Sequence, residues 1–244
     1  MQKSDVKGHF ADSSQRRYTM TNNDSEYDLT VYKEEFSSFT KRSLKRIKKE
    51  PFILLPGLKA YFKGLYYKIK FKILFKNVKI GKHFRVYGKL ILTGPGRVIF
   101  GNDCFIISDV TKTVRIKSIL PDSKLILGDH VGLNGTSIVF RDKISIGDFS
   151  NIADAYITDT SAHPISIDRR LYSVQDVPAE NVYIGNNVWV SVNSVILKGV
   201  HIGDNSVIGA CSLVRKSLPP NVLAAGIPAK IIRELPTSYS SSKK

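Results

Sequence analysis

NVYIGNNVWVSVNSVILKGVHIGDNSVIGACSLVRKS, residues 181–217, decides the fold. Within it Ile184, Val190, Ile196, Ile202, Ile208 and Val214 recur every six residues without a slip. Four residues after the first five come Val188, Ser194, Val200, Ser206 and Ser212, all small or β-branched, and Gly185, Gly203 and Gly209 directly follow three of the aliphatics. A period of six over thirty residues suits neither a 3.6-residue helix nor a two-residue strand alternation; it is an internal repeat. Its physical reading is a stack of short strands joined by tight corners. One aliphatic per hexapeptide points into a narrow core, and Gly or Asn accepts positive φ at the corner. Each fully buried Ile or Val contributes about 1.5–3 kcal/mol, largely offset by chain ordering, so a coil holds only when its neighbours cover it.

Weaker copies extend the repeat toward the N-terminus. Ile80-Gly81 stands with Phe84 and Val86, Phe100-Gly101 with Asn102 and Asp103, Leu127-Gly128-Asp129 with Leu133, and Ile146-Gly147-Asp148 with Ile152. The repeat thus runs over about 78–214 and breaks between Ala153 and Val182. A solenoid places insertions on loops, and loops are where sites are built. A protruding loop over 153–182 is expected, within a domain spanning 78–235.

Charge locates the remaining segments. The 244-residue chain carries a net +16, but residues 1–40 hold five Lys/Arg against seven Asp/Glu and residues 90–244 hold sixteen against thirteen. Residues 41–89 hold sixteen against Glu50 alone, so nearly all the excess lies in one fifth of the chain. Residues 1–40 read as a polar, weakly ordered tail, 41–77 as a basic amphipathic segment, and 236–244 as a polar C-terminal tail. On a helical period Leu58, Phe62, Leu65, Tyr66, Ile69 and Ile73 share one side, with Lys59, Lys63 and Lys70 on another. Lys68, Lys70 and Lys72 also alternate with Ile69, Phe71 and Ile73, which predicts helix early and extended chain later.

The opening residues lack the apolar stretch of a signal peptide, and the apolar run PFILLPGL (51–58) is far too short to span roughly 30 Å of hydrocarbon. Two cysteines, Cys104 and Cys211, imply no disulfide framework, which makes a reducing, cytoplasmic setting the expectation. The basic segment contains no recognisable nucleic-acid module; peripheral contact with an anionic membrane, or packing on the open end of the coil, is expected instead.

The IG(D/N)N hexapeptides, the HP dipeptide in DTSAHPISIDRR (159–170) and the run from Asn181 to Leu235 resemble galactoside, maltose and xenobiotic acetyltransferases. The basic segment ahead of the coil is similar to acetyltransferases of capsular and exopolysaccharide pathways, including the colanic acid type. The resemblance implies an all-β, left-handed parallel β-helix that assembles as a homotrimer with acetyl-CoA as acyl donor, a sugar or glycan as acceptor and no metal. It further implies a histidine on the protruding loop of one subunit facing acetyl-CoA along the coils of another. His163 matches that histidine, Trp189 the tryptophan that walls the site, and Ser191, Ala210, Arg215, Lys216 and Lys230 positions that contact CoA. Asn134 sits near an asparagine that lines the acceptor pocket. The sequence departs from the family pattern at VSVN (190–193, following Trp189) and at Arg215, where Thr or Asn is commoner.

The chemistry agrees with these assignments. An alcohol is a poor nucleophile at neutral pH, and imidazole, with an ordinary pKa of about 6.5, is a base largely ready to take its proton. Asp159, Asp168 and Glu180 are near enough in sequence to orient it. His9, His83, His130 and His201 fall in the tail or at corner and coil positions. A zinc hydratase on the same β-helix would need three convergent histidines, two of them five residues apart, and no such pair occurs. N-acetylation of an amino sugar, O-acetylation of serine, and a non-catalytic trimeric scaffold at the membrane are the rival readings.

Overall fold

The computed structural model describes residues 54–74, 77–109, 112–173 and 176–236, so the tails and the first part of the basic segment lie outside the described residues. From Val78 onward the chain winds as a left-handed parallel β-helix. Its first sheet stacks β1 (Val78–Ile80), β4 (Arg97–Phe100), β7 (Lys124–Leu127), β10 (Lys143–Ile146), β13 (Val182–Ile184) and β16 (His201–Ile202). The second stacks β2 (Arg85–Tyr87), β5 (Phe105–Ile107), β8 (Gly132–Asn134), β11 (Asn151–Ala153), β14 (Trp189–Val190), β17 (Val207–Ile208) and β19 (Val222–Gly226). It ends in an antiparallel strand β20 (Ala229–Glu234). The third stacks β3 (Leu90–Thr93), β6 (Val114–Ser118), β9 (Ser137–Phe140), β12 (Tyr156–Thr158), β15 (Val195–Ile196) and β18 (Leu213–Val214). Strands three apart pair, as a coil of three hexapeptides demands, except that β17 meets β19 because the last first-sheet position is only a bridge between Ile202 and Leu218.

The six-residue period is the core itself. Ile80, Phe100, Leu127, Ile146, Ile184 and Ile202 lie in register on successive coils, as do Val86, Ile106, Leu133, Ile152, Val190 and Ile208 on the next sheet. Alternate residues face outward, and the inward ones are almost wholly buried apart from Ile80 on the first coil, which is partly buried.

The serines four residues on do more than fit a corner. Ser150 Oγ donates to the Gly185 carbonyl (2.8 Å) and accepts from the Val188 N–H (3.0 Å). Ser206 Oγ bonds Pro219 O and Val222 N in the same way, and Ser212 Oγ bonds Gly209 O and Gly226 N. Each hydroxyl satisfies backbone groups that the corner would leave unpaired in a dry interior.

At the corner between the first and second sheets the side-chain oxygens form a ladder. Asn102, Asp129, Asp148, Asn186 and Asp204 each accept the backbone N–H of the equivalent residue one coil earlier, at 2.7–3.0 Å. Of the expected Gly or Asn, Asn supplies positive φ at this corner, at Asn187 and Asn205, and glycine does not. Positive φ belongs to the residue two positions on, such as Asp103, His130, Phe149, Asn187 and Asn205. Gly185 is there for room: a Cβ would stand 2.1 Å from Asp204 Oδ1 and 2.8 Å from Asp204 N.

For the basic segment the structure corrects one expectation, an extended later part, and shows which face docks. Leu54–Leu74 is one continuous helix, α1, with no extended part. Its docked face is Ala60, Gly64, Tyr67 and Phe71, a set spaced four, three and four apart, whereas the stripe Leu58, Phe62, Leu65, Ile69 and Ile73 is exposed. The packing explains both. Tyr67 and Phe71 join the core cluster at the open end of the coil, and the Tyr67 hydroxyl accepts the Leu90 N–H. That docking holds Lys68, Lys70 and Lys72 on a helix despite their alternation with apolar residues.

Candidate functional site

The protruding loop leaves the coil later than the sequence indicated. Tyr156–Thr158 is a regular third-sheet strand paired with β9 and β15, so the excursion runs from 159 to 181 and returns at β13. It therefore emerges at the edge between the third and first sheets.

Its neck is built by hydrogen bonds. Asp159 is fully buried, and its two carboxylate oxygens accept the backbone N–H groups of Arg141 and Asp142, both at 2.8 Å. Burial raises its pKa above the ordinary 3.8, with those two N–H groups pulling the other way. The Glu180 N–H donates to the Asp159 carbonyl, and Thr160 and Ala179 bridge the two strands of the neck. Thr160 Oγ1 accepts from the Ala162 N–H, Ala162 takes φ 61°, and Ser161 Oγ donates to the His163 carbonyl. This tight turn sets His163 on the exposed side of the neck. Beyond it Ile165, Ile167 and Leu171 are at least 83% exposed. The loop returns through buried Val177.

Two of the residues near His163 in sequence are committed elsewhere. Asp159 spends both oxygens on the coil, and Glu180 pairs with Lys198 (Oε1 to Nζ, 2.6 Å) while its carbonyl accepts the Gly199 N–H. Asp168 lies in the exposed loop, its N–H on Ser166 Oγ.

The remaining candidates sort onto edges of the coil. Arg215 and Lys216 follow β18, so they share the edge from which the His163 loop springs, and both are exposed. Asn134 ends β8, Ser191 follows β14 and Ala210 follows β17, which places all three at the next edge, between the second and third sheets. Backbone hydrogen bonds run down that edge from Asp154 to Asn134, from Asn193 to Asp154 and from Cys211 to Val192. Trp189 stands on the outer face of the second sheet, half exposed, between Asn151 and Val207. Lys230 lies on β20 opposite Ala225, beyond the last coil. One sheet, at most about 20 Å for a hexapeptide at about 3.3 Å per residue, separates the two edges. A single chain thus brings His163, Arg215 and Lys216 to one edge and Asn134, Ser191 and Ala210 to another.

Sequence reasoning missed a polar cluster at the second edge. Lys112 Nζ pairs with Asp154 Oδ2 (3.3 Å) and hydrogen-bonds Asn193 Oδ1, close to Asn134. Asp154 and Asn193 both take positive φ, and their residue type at a corner was the available signal.

Residues 181–216 match the family described as bacterial transferase hexapeptide (six repeats). The chain is 42% identical over 115 residues to a galactoside O-acetyltransferase of Escherichia coli (strain K12), covering 43% of this chain and 54% of that protein. It is 35% identical over 131 residues to a galactoside O-acetyltransferase of Lactococcus lactis (strain IL1403), covering 52% and 53%. The chain thus spans about half the length of these relatives. Its fold is similar to that of AntD, an N-acyltransferase from Bacillus cereus, with a TM-score of 0.55 at 19% identity over 69% of this chain and 88% of that one.

Proposed function

We propose that this chain, whose residues 181–216 are hexapeptide repeats of the bacterial transferase type, is an acetyl-CoA-dependent O-acetyltransferase acting on a sugar hydroxyl with His163 as general base. The reading extends to a homotrimer working in the cytoplasm on a surface glycan under assembly. The observation that carries it is the histidine of an HP dipeptide raised on an exposed loop, at the same edge of the coil as two exposed cations, Arg215 and Lys216.

In this mechanism neutral His163 accepts the proton of the acceptor hydroxyl while that oxygen bonds to the acyl carbon. The carbon–sulfur bond then breaks, and His163 returns the proton to the departing thiolate, so the imidazole ends neutral. Arg215 and Lys216 suit the phosphates of CoA: the guanidinium is a bidentate fork and the ammonium a point charge. Trp189 offers an exposed ring against which the donor can lie. Two features support assembly. The candidate residues occupy separate edges of one chain, and the loop beside His163 leaves Ile165, Ile167 and Leu171 in water, a pattern that marks a surface awaiting a partner.

The test is thiol release from acetyl-CoA with a panel of sugars, amino sugars and oligosaccharides, comparing wild type with His163→Ala. The variant should lose at least about a hundredfold, the low end for removing a general base, with its melting temperature unchanged because the side chain is exposed. Full activity in the variant would remove His163 from the mechanism. Absence of any CoA-ester turnover across the panel would remove the transferase reading.

A further inference from the structure

Helix α1 has two apolar faces, and the coil uses only one. At about 100° per residue the docked set Ala60, Gly64, Tyr67 and Phe71 lies about 170° around the axis from the stripe Leu58, Phe62, Leu65, Ile69 and Ile73. All five residues of that stripe are exposed, from 46% at Leu65 to 71% at Ile73. Lysines border it on both sides: Lys59, Lys63 and Lys70 on one flank, Lys68 and Lys72 on the other. Lys68 Nζ donates to the Gly81 carbonyl, which ties that flank to the coil. The helix contains no carboxylate, and the sequence just before it, KRSLKRIKK (41–49), is more basic still.

From Leu58 to Ile73 the stripe runs about 23 Å, and the exposed Leu54 and Leu55 continue it to about 29 Å; at about 10 Å wide this approaches 300 Å², the size at which an exposed apolar patch usually has a function. The helix is not a membrane span: among the described residues no helix is long and apolar enough to cross a bilayer. Apolar residues bordered by lysines, with the opposite face held by the protein, instead suit a helix lying in the plane of a membrane. We propose that α1 docks the coil on an anionic lipid surface, with Leu58, Phe62, Leu65, Ile69 and Ile73 entering the headgroup boundary and the lysines meeting acidic headgroups.

Charge selects this occupant. A second copy of the helix would set lysines against lysines with no carboxylate to separate them, and a polyanion without an apolar phase would leave the stripe in water. The inference is independent of the chemistry at His163.

The experiment is co-sedimentation of the full chain with vesicles of phosphatidylcholine alone or with about 30% phosphatidylglycerol, at low and high salt. Wild type should bind the anionic vesicles, prefer them strongly over neutral ones, and be released by salt. Phe62→Glu with Ile69→Glu should weaken binding at least about a hundredfold, since two buried side chains are lost. Lys59→Gln, Lys63→Gln and Lys70→Gln together should weaken it about a hundredfold, at about fivefold per charge. All of these positions lie outside the docked face, so melting temperature and acyl transfer to a soluble acceptor should match wild type. Absence of vesicle binding at low salt, or binding indifferent to both variants, overturns the proposal. So does a change in sedimentation mass of the Phe62→Glu/Ile69→Glu variant without vesicles, which would assign the stripe to contact between copies.

Discussion

Gly64→Ala pits helix propensity against packing, and the two predict opposite signs. Propensity alone favours alanine inside a helix by about 1 kcal/mol. At Gly64, however, a Cβ would sit 1.8 Å from the Phe84 carbonyl oxygen, 2.7 Å from its carbon and 3.3 Å from Arg85 Cα. An ordinary carbon–oxygen contact is about 3.3 Å, so α1 must retreat by about 1.5 Å. A gap of that size forfeits half or more of the dispersion contact along the docked face. Full burial of Tyr67 and Phe71 is together worth about 3–6 kcal/mol, so losing half of it costs about 1.5–3. The Leu90 N–H to Tyr67 hydroxyl bond, now 3.1 Å, would open, leaving a buried donor unpaired at a further cost of about 1–3 kcal/mol. Net of propensity, docking should weaken by about 1.5–5 kcal/mol. Gly57 is the control, because its nearest neighbour to a new Cβ is Tyr87 Oη at 4.0 Å. Gly57→Ala should therefore stabilise the helix by up to about 1 kcal/mol. Hydrogen exchange over residues 60–72 reads the difference directly: Gly64→Ala should lower protection by about tenfold to several thousandfold, and Gly57→Ala should raise it slightly. Equal or greater protection in Gly64→Ala would refute the docked geometry.

Two further outcomes follow from buried groups. Asp159→Asn should destabilise the loop neck by about 1–3 kcal/mol in chemical denaturation, because an amide N–H₂ would face one of the two backbone N–H donors of Arg141 and Asp142. The folded carboxyl titrates above its ordinary 3.8, so its stabilising contribution is present below that value and is lost as pH rises through the raised pKa. Wild type should accordingly gain on the variant as pH falls from neutral toward about 4; a gap that narrows over that range would refute the assignment. A disulfide thiol reagent should label exposed Cys211 in the native chain and spare Cys104 even at pH 9. Burial pushes the Cys104 thiol up to about 12, and its S–H donates to the Gly128 carbonyl. Two thiols reacting before unfolding would contradict that burial.

The sequence by itself determined the coil, because a six-residue period states which residue of each hexapeptide faces inward. The clean run from Ile184 to Val214 and the weaker copies at Ile80, Phe100, Leu127 and Ile146 all became stacked strands, and the break in period located the loop and its histidine. What periodicity does not state is which residue meets which across neighbouring coils. Ser150 bonds Val188 over 38 residues, and Gly185 makes way for Asp204 one coil later, so the roles of the corner serines and glycines became visible only with the coils stacked. Asp159, near His163 in sequence, is drawn instead to two backbone donors one coil earlier, since a buried carboxylate must be satisfied where it lies. The same limit hid the docked face of α1. Its sequence contains two apolar stripes, and the larger one lost the coil to Ala60, Gly64, Tyr67 and Phe71, because a helix can approach a backbone closely only where its side chains are small.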